Sequence, residues 1–176
     1  KPGNIMLGEY GEVLVLDWGC ALGERERDSG IGGAYGTPAY MSPEQARQEG
    51  ADERSDVYCL GATLYHMLTL HHPTWSESPT EFWEMKREGV ITPLPPEVHH
   101  AVPPPLLNLV RLAMAPRADD RYQSVMALQQ AIREYQTHAE SIGLTQRSLE
   151  ELRAAGHDAA YAVFSHLMAQ LEQALS

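Results

Sequence analysis

Asn4 and Asp17 are the first residues in this sequence whose types and spacing could do chemistry. Each flanks a short apolar run: Ile5-Met6-Leu7 follows Asn4, and Val13-Leu14-Val15-Leu16 precedes Asp17. Both runs are strand-like in length and branching. Between them, Gly8-Glu9-Tyr10-Gly11-Glu12 reads as a hairpin turn. Antiparallel strands joined by a tight turn return to the end at which they started. The residue before the first strand must then lie close to the residue after the second. An amide oxygen and a carboxylate thus meet at one end of the hairpin. Both are hard ligands of the kind Mg²⁺ takes alongside phosphate oxygens and water. Lys1, three residues before Asn4, could bring a cation to a phosphate at the same place. The plainer alternative gives Asn4 a turn cap and Asp17 a strand end.

The elements that must position these groups are mostly helical. Residues Gly23 to Ala39 hold five glycines and few apolar side chains, which predicts a mobile loop. Ser42-Pro43-Glu44 sets a capping hydroxyl before a proline and an acid, a helix-start signature. Ser55-Asp56 opens a helix running to about Leu70 that is apolar on most faces, so it is expected to be the central buried helix. Thr80 to Glu88 predicts a short amphipathic helix stopped at Gly89. The proline-rich stretch Pro93 to Pro105 predicts an ordered loop with little regular structure. Leu106 to Ala115 and Ser124 to His138 predict two further helices. Residues 139–144 then read as a linker, and Thr145 to Ala155 and Asp158 to Leu175 as a helical pair split by Gly156-His157.

Composition removes several function classes. The 176 residues carry a formal charge of −11, the wrong sign for gripping a phosphate backbone, so no nucleic-acid partner is expected. The longest apolar run, Val57 to Leu68, is interrupted by Gly61, Thr63 and His66 and is too short to span a bilayer. The two cysteines, Cys20 and Cys59, lie in apolar runs, which argues against a disulfide-stapled secreted scaffold and for a reducing, cytoplasmic setting. Cys20 reads as a small buried hydrophobe. His71-His72 and His99-His100 read as surface histidines rather than a zinc site, because adjacent side chains converge poorly on one ion. Trp75, Phe82 and Trp83 read as packing residues, with a peptide-docking face as the alternative.

Five short motifs occur in order along the chain: Lys1-Pro2-Gly3-Asn4, Asp17-Trp18-Gly19, Gly36-Thr37-Pro38-Ala39-Tyr40-Met41-Ser42-Pro43-Glu44, Ser55-Asp56-Val57-Tyr58-Cys59-Leu60-Gly61, and Asp119-Asp120-Arg121-Tyr122. The first resembles the tail of the catalytic loop of eukaryotic-like, bacterial-style Ser/Thr protein kinases. The second resembles their metal-binding Asp-Phe-Gly, with Trp18 for Phe, and the third their substrate-docking segment ending in Ala-Pro-Glu, with Ser42 for Ala. The fourth resembles the start of the central helix of the large lobe, and the last the segment whose arginine pairs with the Pro-Glu glutamate.

The resemblance covers residues 1–138 and implies a mainly α fold: a kinase-like large, C-terminal lobe with a short β-hairpin, followed by a C-terminal α-helical pair. It implies ATP and Mg²⁺ as cofactors, with Asn4 and Asp17 on the metal and Lys1 steadying the transferred phosphoryl group. It gives Thr37 the task of holding the catalytic loop to the docking loop and makes Glu44 and Arg121 a buried ion pair. Asp56 would hold the catalytic-loop backbone, and proteins bearing Ser or Thr hydroxyls would be the substrates. The activation segment would run from Asp17 to Glu44, with hydroxyls at Ser29, Tyr35 and Thr37; Ser29 is the candidate phosphorylation site. The family's catalytic Asp falls two residues before Lys1, and its glycine-rich loop and small-lobe lysine also fall upstream. The chain therefore reads as a lobe fragment, inactive on its own. Residues 145–176 loosely resemble the start of a tetratricopeptide-type array and would offer a surface to protein partners. The rival reading is a non-catalytic kinase-like scaffold, which would have no need of the metal ligands Asn4 and Asp17.

Overall fold

A computed structural model describes residues 1–10, 12–17 and 37–141. Trp18, Cys20, Ser29, Tyr35 and the helical pair of residues 145–176 lie outside the described residues. Strands β1 (Ile5–Leu7) and β2 (Val13–Val15) pair antiparallel, with Ile5 opposite Val15, Met6 opposite Leu14 and Leu7 opposite Val13. Leu16 leaves the strand, yet its amide still donates to the Asn4 carbonyl at 2.7 Å, so the pairing closes at the residue next to Asp17. Val13 is wholly buried and collects Ile5, Val15, Leu60 and Met67 around it, which fixes the hairpin on the central helix.

The helices are α1 (Pro43–Ala46), α2 (Glu53–Thr69), α3 (Pro79–Glu88), α4 (Pro96–Ala101), α5 (Pro104–Ala113) and α6 (Val125–Ser141). Their starts follow capping chemistry. Ser42 caps α1 in a reciprocal box with Gln45. Asp52 accepts from the Arg54 amide at 2.8 Å, which starts α2 two residues before Ser55. Ser78 caps α3, and Gly89 ends it with φ +72°, a conformation that favours glycine; a side chain there would also meet Pro116.

Pro93 to Pro105 departs from the sequence expectation. The stretch contains α4 and the first turn of α5, with a proline as N-cap and another at the first helical position of each. Proline's missing N–H is no loss in a first turn and its φ is already helical, so these prolines start helices instead of preventing them. Helix α6 runs through Ser141, into the stretch read as a linker.

Helix α2 is the centre of the fold. Val57, Tyr58, Ala62, Leu64, Tyr65 and Leu68 are all buried, packed against Leu106, Leu107, Val110 and Ala113 of α5 and Leu128 and Ile132 of α6. No helix among the described residues is long and apolar enough to cross a membrane. Gly61 sets how closely α2 approaches α5: a Cβ there would stand 2.8 Å from the Ala113 Cβ and 3.0 Å from Met114 Cγ. We expect Gly61→Val to overpack this crossing and destabilise the lobe by about 2–3 kcal/mol, read by urea denaturation. An unchanged midpoint would show that α5 can shift freely.

Candidate functional site

The open end of the hairpin brings Asn4 and Asp17 together. The Asn4 side-chain amide donates to Asp17 Oδ2 at 3.5 Å. Asn4 ends a short 3₁₀ turn, Pro2–Asn4, and its own amide donates to the Lys1 carbonyl at 2.9 Å. That turn sets Lys1 beside the pair by backbone; the Lys1 side chain is exposed. Asp17 has φ +66°, in the left-handed region that non-glycine residues seldom occupy and that aspartate tolerates better than most. A strained backbone at a solvent-facing carboxylate is the kind of cost structures carry where the side chain's direction matters. The donor set is an amide and a carboxylate, which fits a hard divalent cation completed by phosphate oxygens and water.

A second centre lies at Glu44 in α1. Arg121 donates from Nη1 to Glu44 Oε1 at 2.7 Å and from Nη2 to Oε2 at 2.8 Å, a bidentate pair. The remaining guanidinium donors go to backbone carbonyls: Nε to Ala115 at 2.8 Å, Nη1 to Arg54 at 3.0 Å and Nη2 to Pro116 at 3.2 Å. All five N–H groups are used. Ser55 adds a hydroxyl donated to Glu44 Oε1 at 2.7 Å. Burial alone would push the Glu44 carboxyl up; the Arg121 and Ser55 hydrogen bonds outweigh it and bring the pKa down to about 2. Asp56, the next residue along α2, is exposed in the helix's first turn.

The segment Thr37–Ser42 leads into α1. Thr37 is half-buried and opens a 3₁₀ turn, Pro38–Tyr40, its carbonyl accepting from the Tyr40 amide at 3.1 Å. Two contacts here were not found by sequence reading. The Tyr40 hydroxyl and His66 Nδ1 share a 2.6 Å hydrogen bond, and the His66 ring stacks on Tyr40 and meets His72 edge-on at 4.4 Å. Lys86, fully buried on α3, donates to the Ala39 carbonyl at 3.1 Å and to the Tyr58 hydroxyl at 3.4 Å. Burial pushes the Lys86 amine down to about 8. Burial instead raises the Cys59 thiol to about 12, with Asp56 adding. No group of three or more His, Cys, Asp or Glu among the described residues is arranged so that it could hold a metal ion.

The protein kinase domain profile matches residues 1–133. The chain belongs to the protein kinase family. Among curated proteins, family members similar to it include a serine/threonine-protein kinase PknD of Chlamydia trachomatis serovar D, 31% identical over 158 residues, covering 77% of this chain and 17% of the relative. PknD of Chlamydia caviae is 37% identical over 153 residues, with 77% and 16% covered. PknB of Mycolicibacterium smegmatis is 40% identical over 129 residues, with 70% and 20% covered. The chain thus spans about a fifth or less of the length of these relatives.

The Glu44–Arg121 pair makes the kinase-like lobe sensitive to acid. The carboxyl's pKa is lower in the folded state than in the unfolded one, so the pair's contribution is complete above about pH 4.5 and is lost as pH falls toward about 2. Glu44→Gln leaves a buried guanidinium without its counter-charge and should destabilise the lobe by about 3–5 kcal/mol at pH 7. It should also flatten the acid limb of a stability–pH profile measured by chemical denaturation. An acid limb identical to that of the unaltered chain would assign acid sensitivity to other carboxylates.

Proposed function

We propose that this chain is the large lobe of a Ser/Thr protein kinase that moves the γ-phosphoryl group of ATP to protein Ser or Thr hydroxyls. The observation that carries the reading is the convergence of Asn4 and Asp17 at the hairpin end, in a chain of this family. Asn4 and Asp17 would hold Mg²⁺, and Lys1 would lie at the same end to meet a phosphate oxygen. When bound, Mg²⁺ supplies charge neutralisation across the ATP phosphates. The residues of this chain supply position: the hairpin register fixes the two metal ligands relative to one another, and the Arg121–Glu44 pair fixes the docking segment against the helical core. Thr37 would hold the catalytic loop against that segment. The relatives' printed names support the Ser/Thr class of hydroxyl.

Three further parts belong to this proposal. Ser29, in the segment between Asp17 and Thr37, is its regulatory phosphorylation site. Residues 145–176 serve protein partners. The working compartment is the cytoplasm, where ATP is plentiful and thiols stay reduced.

The test begins with the coding DNA immediately upstream of Lys1, which should read His-Arg-Asp-Leu, with a glycine-rich loop and a strand lysine further up. In the kinase so defined, Asp17→Ala should lower phosphate transfer to a protein substrate by at least about 100-fold, the scale of losing a preorganised charge-stabilising group. A stop codon upstream, or a catalytic Asp replaced by a residue unable to accept a proton, would sink the enzyme reading and favour a scaffold; full activity in Asp17→Ala would remove Asp17 from the metal site.

A further inference from the structure

Lys86 is a buried cation that the proposed chemistry does not use. It is fully buried, and among the described residues no carboxylate pairs with it. Its amine sits 5.0 Å from the centre of the Tyr58 ring and bonds two neutral oxygens, the Ala39 carbonyl and the Tyr58 hydroxyl. A buried amine without a counter-charge is unfavourable, and a methionine of similar length would fill the same space more cheaply. What the methionine could not do is donate a hydrogen bond. The acceptor that distinguishes this site is the Ala39 carbonyl, 47 residues away in sequence and in the middle of the Pro38–Tyr40 turn. Tyr58 lies in α2, Lys86 in α3 and Ala39 in the docking segment, so one amine ties the turn to two helices.

Among the described residues, no other hydrogen bond holds the turn's backbone from outside. Its internal bonds, Tyr40 N–H to Thr37 and Met41 N–H to Pro38, are 3.1 and 3.3 Å and are local to the turn. The Tyr40 side chain is held by His66, but that bond fixes a ring, and the Ala39–Tyr40 peptide is tied by its N–H only to Thr37 within the same turn. We infer that Lys86 is a positioning residue for substrate docking: by holding the Ala39 carbonyl inward, it turns the Pro38–Tyr40 peptide planes into the orientation that a protein substrate's backbone meets. This rests on the kinase reading for its last step, the substrate, and on geometry alone for the anchor. A carbonyl turned inward is removed from competition with the incoming peptide. The adjacent peptide groups keep one orientation before substrate arrives, so less ordering is left to be done on binding.

Two measurements test the two steps separately. The first uses the 176-residue chain itself, with Lys86→Met to keep volume and Lys86→Gln to keep a donor. Amide hydrogen exchange at Tyr40 and Met41 should speed by about tenfold or more in Lys86→Met, with α2 and α5 amides unchanged and the global unfolding midpoint level or higher. Lys86→Gln should recover part of the protection. Unchanged exchange at Tyr40 and Met41 in Lys86→Met would overturn the anchor. So would loss of protection throughout α2, α3 and α5, which would make Lys86 an ordinary packing residue. The second uses the kinase that contains this chain. Lys86→Met should raise KM for a protein substrate by about five- to tenfold, leaving KM for ATP and kcat within about twofold. An equal fall in kcat with unaltered substrate KM would overturn the docking role. If the unaltered kinase transfers no phosphate while Lys86→Met still loosens Tyr40 and Met41, the kinase reading fails and the anchor stands.

Discussion

Arg121 is the residue on which the rest of the lobe depends. Its five donors reach one carboxylate in α1, the carbonyl of Arg54 in the first turn of α2, and the Ala115 and Pro116 carbonyls after α5. No other side chain type could do this. A lysine has three donors on a point charge; guanidinium has five in a fixed plane, and it stays charged when buried. The burial is nearly total, with the Arg121 side chain at 0% exposure and Glu44 at 11%. Such a pair gives little net stability, because desolvating both ions offsets most of their attraction. Its effect is conformational. Helix α1 is only four residues long and could not hold itself in place by hydrogen bonding alone. Tied through Glu44, it becomes a fixed end for the Thr37–Met41 segment that precedes it.

The other end of the site is fixed by a different means. The hairpin has one fully buried residue, Val13, and its partners Leu60 and Met67 come from α2. A two-stranded ribbon of this size is marginal in isolation. Packing on α2 makes the Asn4–Asp17 end part of the same body as the Glu44–Arg121 centre. Helix α2 thus carries both centres, one by apolar contact and one by hydrogen bonds from the Ser55 hydroxyl to Glu44 and from Arg121 to the Arg54 carbonyl.

Different parts of this arrangement were legible in the sequence for different reasons. The meeting of Asn4 and Asp17 followed from hairpin symmetry, because a tight turn leaves little freedom in what returns to what. The central place of α2 followed from an apolar surface too wide for a one-sided helix. The partnership of Glu44 and Arg121 came from motif resemblance; nothing in local spacing relates residues 77 apart. Helix α4 was hidden because prolines break helix interiors but start first turns, and composition does not say which a given proline will do. Lys86 was hidden more deeply. Arg87 and Glu88 beside it are exposed, so Lys86 reads as one more surface charge. Only the three-dimensional path of the docking segment past α3 reveals its acceptor. His66 could have been found, since a histidine interrupting the longest apolar run needs a polar partner if it is not at the surface.

Tyr58 connects these observations. Lys86 Nζ and the Arg121 guanidinium carbon each lie 5.0 Å from its ring centre. Burial pushes the Tyr58 hydroxyl well above its ordinary range, so it stays neutral and can accept from Lys86. The two cations therefore differ in permanence. Arg121 is matched by a full carboxylate. Lys86 is matched only by neutral oxygens, and its pKa is lower folded than unfolded. Its buried charge then costs stability below about pH 8, and that cost is relieved as pH rises toward 10.5, the ordinary lysine value. The fold carries this cost at neutral pH and receives from it one hydrogen bond to one peptide group. A site that positions a short backbone segment is where such an exchange makes physical sense: the permanent ion pair holds the helix, and the weaker, uncompensated amine sets the orientation of the turn beside it.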